Sequence, residues 1–337
     1  MSLPGFHQER APRASKSRPT VSNRHSDEQS NRTGANDAAA GSTNMTTAVP
    51  AEARYARAFI SADTSGGNAT WVLPVGTAPG AAEAALDKAR MLARESGVEV
   101  TLEEAGRDFR FIAPEGELSL CLHGLLGGLA LARREGRIAG EERAVEVKTP
   151  SGVLTARVNT VDARTFEVSV ELGRQLLVPV EAGQELRATL AAALGLKLED
   201  LPERLWNAGG ARLKTLIPLE TRERLAAMHV EPGAIDRIAA QLGCTGVYAF
   251  VVERADASSA HLAARQFPAG IGIAEDPATG GSAAAPALWL RRVGGHPRLN
   301  RLTISQGEDM GRPCRLVVER SGEDDAMGWW VGGRVVL

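Results

Sequence analysis

The sequence predicts an α+β fold made of two similar halves, each a curled β-sheet around one central helix. Two observations predict it. Short runs with the alternating period of half-buried strands outnumber the helical patterns. The same order of features also occurs twice: a strand, a Phe and a Pro, acidic residues, a glycine motif and a helix appear around His123-Gly124 and again around Gly280-Gly281. If the halves fold alike, the two helix N-termini face each other across a cleft, where a small anion would bind.

Taken in order, residues 1–44 hold Ser, Arg, Asn, Asp and Gly with almost no apolar side chains. Such a tail cannot offset the entropy of ordering and is expected to be disordered. Met45 stands just before the first strand and is an alternative start. The expected organisation is a tail over 1–50, a first half over 51–160, a second half over 161–310 and completing strands over 311–337. Residues 55–61 and 70–74 read as strands joined through Gly66-Gly67-Asn68, a hairpin. Residues 81–96 repeat Ala85, Ala89 and Leu92 at helical spacing, with Gly97 just past the end. Strands follow over 98–102 and 107–112, then a helix over 125–134. The patterns over 144–148, 153–158 and 165–172 are strands, those over 186–194 and 235–242 helices, and those over 213–219 and 246–253 strands again. Residues 301–305, 315–319 and 328–337 return to strands.

Composition narrows the function. A formal net charge of -2 leaves no overall basic field for nucleic acid. No segment is apolar over the roughly 18 residues that a membrane span needs. The three cysteines, Cys121, Cys244 and Cys314, are widely separated, and no C-x-x-C or H-E-x-x-H spacing suggests zinc. They read as reduced thiols in a cytoplasmic protein, and a small molecule is the expected partner.

The densest chemistry lies in residues 265–282. Pro277 biases Asp276 away from helical angles, Gly280-Gly281 allows a sharp turn, and Ser282 is a suitable helix N-cap. Pro286 then falls in the first turn, and Arg291-Arg292 end the helix, where its dipole favours cations. A carboxylate would thus stand beside backbone N–H groups able to hold an anion. Asp276, paired with Glu275, is suited to orient a histidine or hold a substrate amine. His123, after an apolar run and before Gly124, is the best placed of the six histidines to titrate in a cleft. Glu99 faces away from Val98 and Val100, and burial of that face would raise its pKa and suit it to acid and base work. Cys121, between Leu120 and Leu122, reads as a small core residue.

These motifs resemble the phenazine-biosynthesis PhzF-like family. The run from Arg265 through Glu275-Asp276-Pro277 to Gly280-Gly281-Ser282 is similar to its R-x-F-x-P and E-D-P-x-T-G-S signature. The hairpin from Phe59 through Gly67-Asn68 to Val72, the Glu99 strand against S-E-T, residues 117–123 against E-L-P-F-x-G-H, and residues 306–313 against Q-G-x-x-x-G-R-P agree in order. The resemblance spans residues 55–337. It implies a diaminopimelate-epimerase-like fold, commonly homodimeric, and an isomerase that moves a proton within trans-2,3-dihydro-3-hydroxyanthranilate without metal or organic cofactor. Glu99 would shuttle the proton, with His123 and Asp276 as the other catalytic residues. Gly280, Gly281, Ser282 and Asn68 would bind the anionic substrate. Three departures bear on substrate: Val98 and Val100 flank Glu99, Leu122 replaces a glycine, and Gly281 stands where a serine is expected. A two-base epimerase of the same fold and a non-catalytic small-acid binding protein are the alternatives.

Overall fold

The computed structural model describes residues 49–337 apart from 141, 143, 232 and 323–327. The expected disordered tail and the alternative start at Met45 lie outside the described residues. Strands β1 (Arg54–Ile60) and β2 (Asn68–Pro74) form the antiparallel hairpin. Helix α1 (Ala81–Ser96) ends at Gly97, whose φ of 66° favours glycine. Next come β3 (Val100–Glu104), β4 (Asp108–Ala113), the short β5 (Gly116–Leu118) and helix α2 (Leu122–Arg134). Strands β6 (Val145–Thr149), β7 (Gly152–Thr160) and β8 (Thr165–Leu172) complete the first series.

The second series opens with β9 (Leu176–Val180), α3 (Gln184–Ala193), β10 (Leu205–Gly209) and β11 (Lys214–Leu219). Helices α4 (Arg222–Ala226) and α5 (Asp236–Leu242) precede β12 (Gly246–Ala255) and β13 (Ser259–Pro268). Helix α6 (Ala284–Arg292) leads to β14 (Arg301–Gln306), β15 (Cys314–Arg320) and β16 (Trp329–Val336).

Pairing exposes the repeat. Along β1-β2-β3-β4-β6-β7-β8 the pairs run antiparallel, parallel, antiparallel, parallel, antiparallel, antiparallel. Along β10-β11-β12-β13-β14-β15-β16 the sequence of pairings is the same. In each series a parallel pair needs a crossover, and the central helix supplies it: α2 between β4 and β6, α6 between β13 and β14. Strand β16 bonds both β8 and β1, which closes the first series on itself and joins it to the second.

Helix α2 is buried from Leu122 to Arg133, as a helix enclosed by a sheet must be. Its glycines make this possible: a Cβ on Gly124 would lie 2.4 Å from Thr101 Oγ1 on β3. Helix α6 achieves the same closeness with alanines, and Ala284 to Leu288 are all buried. The amphipathic α1 lies outside this core and packs Ala85, Ala89 and Leu92 in a separate cluster with Leu73, Val100 and Ile112.

Besides the short β5, three strands escaped the sequence pattern. β9 carries Pro179 and largely exposed residues, β10 ends in Asn207-Ala208-Gly209, and β13 is built on alanines rather than branched side chains. None has strong intrinsic strand character; their neighbours in the sheet supply it. Among the described residues no helix is long and apolar enough to cross a membrane.

Candidate active site

The site grows from the ends of the central helices. On the first half, Glu99 lies just before β3 rather than inside a strand. Its carbonyl accepts from Trp71 N and Thr70 Oγ1, each at 3.0 Å, which ties it to β2. Helix α2 begins three residues before the expected position 125, so His123 belongs to its first turn. The His123 Nε2 lies 3.5 Å from Glu99 Oε2, and Nδ1 lies 3.3 Å from Asn68 Nδ2. The Cys121 Sγ sits 3.5 Å from both ring nitrogens.

This cluster corrects the expected direction of the Glu99 pKa. Burial does push it up, but the hydrogen bond and charge of His123, aided by Arg312, outweigh burial and hold the carboxyl below its ordinary range. Burial opposes charge on His123 as well. Cys121 first, then Glu99, overcome it and raise the imidazole well above its ordinary value. The pair therefore favours carboxylate and imidazolium together.

On the second half, the two acidic residues part company. Arg265 grips Glu275 through Nε at 3.0 Å and Nη2 at 2.6 Å, a bidentate pair largely shielded from water. The Asp276 carboxylate accepts from Ala278 N at 3.1 Å and from Thr279 Oγ1 at 2.8 Å instead of reaching His123. The buried Gln306 donates to the Asp276 carbonyl at 2.7 Å and accepts from Tyr248 Oη at 2.9 Å. The motif around Gln306 and Gly307 is thus a brace: a Cβ on Gly307 would lie 2.7 Å from the Pro277 carbonyl. Pro313 likewise accepts from Gly67 N at 3.1 Å and so secures the turn that carries Asn68.

Ser282 does not cap α6. It belongs to a 3₁₀ turn, Gly280–Ser282, and the helix proper begins at Ala284 after Ala283. Gly280 meets the first half directly: a Cβ there would lie 2.6 Å from Leu122 Cδ2 and 2.9 Å from Phe59 Cζ. Leu122, in place of a glycine, is helical and buried, and its side chain wedges between the two helix ends. Phe59 reaches that point through a bulge in β1, with a φ of 62° that costs a non-glycine residue strain. Gly281 has open space around it.

These groups enclose a cavity of about 410 Å³. Its lining includes Glu99, Cys121, His123, Asp276 and the Gly280–Ser282 turn. Of the expected site residues only Asn68 stands behind the wall, against the imidazole. Cys121, read as a core residue, is both buried and part of the lining. Sequence reading missed Lys214, Gln175, Arg174 and Arg212, which the second half contributes to the same lining. The available signal was Lys214 itself, a cation that opens the apolar run Lys-Thr-Leu-Ile. Burial pushes Lys214 down to about 8, although Asp276 draws it up. A separate depression of about 480 Å³ over β7, β8, β15 and β16 holds Arg157 stacked on Trp330 and none of the expected site residues. Among the described residues no group of three His, Cys, Asp or Glu side chains is arranged to hold a metal ion.

The sequence pattern of the phenazine biosynthesis-like proteins, PhzC-PhzF, matches residues 80–336. The chain belongs to this family. An uncharacterized isomerase of Deinococcus radiodurans is 29% identical over 215 residues, covering 62% of this chain and 68% of the relative. The trans-2,3-dihydro-3-hydroxyanthranilate isomerase of Pseudomonas aeruginosa is 27% identical over 214 residues, covering 63% of this chain and 70% of that enzyme. Among solved structures, a PhzF-family protein of Bacillus anthracis superposes with a TM-score of 0.70 at 16% identity, covering 85% of this chain and 96% of the other. A predicted epimerase of Pseudomonas aeruginosa gives 0.67 at 23% identity, with the same two coverages. The fold is the epimerase-like α+β architecture that the sequence predicts, and this PhzC-PhzF protein is an isomerase in the broad sense that includes epimerases.

Proposed function

We propose that this PhzC-PhzF protein moves a proton between two carbons of one small carboxylate-bearing molecule, with Glu99 as the single acid and base. The observation that carries the reading is the Glu99–His123 contact of 3.5 Å inside a cavity between two helix ends. The ionised carboxylate takes a proton from an acidified C–H. The C–H bond breaks, an O–H bond forms on Glu99, and the electron pair shifts the double bond along the substrate. The protonated Glu99 exchanges with solvent and delivers a proton to a second carbon, so no oxidant or reductant is consumed. His123 holds the carboxylate ionised at the start and favours its renewal at the end. The first N–H groups of α2 lack partners within the helix, and with the Gly280–Ser282 turn they provide a place for the substrate carboxylate. Asp276, fixed by Thr279 and Ala278, positions a substrate amine or hydroxyl.

The substrate of the Pseudomonas aeruginosa relative, trans-2,3-dihydro-3-hydroxyanthranilate, is the model for this chemistry. A two-thiol epimerase is less well supported, because Cys121 faces no second cysteine: Cys244 and Cys314 are absent from the cavity lining. Turnover of that molecule in heavy water tests the reading. Deuterium at the carbon that receives the proton, with none at an untouched stereocentre, supports the shift; a deuterated stereocentre without double-bond movement refutes it in favour of epimerisation.

A further inference from the structure

Lys214, the first residue of β11, is 5% exposed. Its Nζ donates to the Thr245 carbonyl at 2.7 Å and makes no other hydrogen bond or close ion pair among the described residues. An ammonium has three donors, so two remain unmet in the wall of the cavity. Gln175, 8% exposed on the same lining, donates Nε2 to the Gly173 carbonyl at 2.8 Å and leaves Oε1 with no partner. Both groups cost stability as they stand. The fold does not demand the lysine, since the Thr245 carbonyl also accepts from Ala269 N at 3.1 Å. With Gln266 Nε2, which is also buried and unpartnered, three polar groups with unmet bonding line one cavity and point to a ligand.

Charge agrees. Among the described lining residues, Lys214, Arg174 and Arg212 stand against Glu99 and Asp276. The excess of cations in the lining favours an anionic ligand.

We infer that Lys214 and Gln175 form a second recognition subsite, in which Lys214 holds a carboxylate and Gln175 Oε1 accepts from an adjacent N–H or O–H, so that the substrate is a small dicarboxylic acid bearing an amino or hydroxy group. This rests on the reading above, in which one carboxylate lies at the helix ends. It separates the protein from its anthranilate-type relative, whose named substrate carries a single carboxylate.

Matched acids that differ by one carboxylate test the subsite by titration calorimetry on the full chain: glutarate against butyrate, and isophthalate against benzoate. The dicarboxylate of each pair should bind at least about tenfold tighter, and Lys214→Met should bring the ratio to within about twofold. Gln175→Leu should leave that ratio intact and weaken 2-hydroxyglutarate relative to glutarate. Equal affinities within the pairs, or a preference that survives Lys214→Met, overturn the subsite, as does failure of both dicarboxylates to bind. Circular dichroism confirms that the variants fold, and the wild-type ratios decide the matter if they do not. The two readings fail separately: a Lys214-dependent preference without any proton shift sinks only the isomerisation, while a proton shift without the preference sinks only the subsite.

Discussion

The two halves share one order of strand pairings and one central-helix crossover, yet the ends they present to the cavity differ in kind. The first half places a carboxylate against an imidazole and a thiol, so its charges respond to one another. The second half spends its acidic pair on fixed partners, Arg265 for Glu275 and Thr279 with Ala278 for Asp276. It leaves a lysine and a glutamine with unmet bonding instead. A duplicated architecture thus supports division of labour: proton movement from one end, substrate holding from the other.

The sharpest way to break this comparison is to neutralise one carboxylate from each half. Glu99→Gln should lower kcat by about a hundred- to ten-thousand-fold with substrate binding retained. Asp276→Asn, which keeps an acceptor for Thr279, should cost about tenfold and act mainly on KM. Equal losses in kcat would erase the distinction.

The pH profile sharpens it next. Glu99 lies below its ordinary value of 4.5, so the stability and activity it supplies are present above that pH and are lost as pH falls through the depressed value. His123 lies above its ordinary 6.5, so its contribution is complete below that pH and disappears as pH rises through the raised value. A plot of kcat/KM against pH should show both limbs, and His123→Asn should reduce the alkaline one to the part that Lys214, near 8, contributes.

Stability provides smaller tests. Gly280→Ala should destabilise by about 1–3 kcal/mol, because the added methyl meets Leu122 and Phe59. Gly281→Ser, which restores the residue of the family signature into open space, should stay within about 0.5 kcal/mol in the same denaturant titration. Lys214 has the opposite sign. Its pKa of about 8 lies below the ordinary 10.5, so between those values the unfolded chain binds the extra proton and stability rises with pH. Lys214→Met should therefore stabilise by about 1–2 kcal/mol at pH 7 and by less at pH 10.

The fold was largely legible where the local pattern was strong. Residues 81–96 form the helix that their spacing predicts, and residues 165–172 form the predicted strand. The failures at β9, β10 and β13 share a cause: their residues have weak strand preference, and pairing to distant strands decides their conformation. Ser282 was misplaced for a related reason. A serine before a helical pattern signals an N-cap, but the approach of Gly280 to Leu122 coincides with a tighter turn that delays the helix.

The sequence by itself determined the repeated order of elements and the identities of the polar groups at the two helix ends, because alternation, glycine turns and proline are short-range properties of the chain. Tertiary structure decided what those groups do. Whether Glu99 is raised or lowered depends on His123 beside it, and the place of Lys214 in the cavity depends on strand packing. Burial and charge act through space between residues far apart in the chain, and no local pattern carries that information.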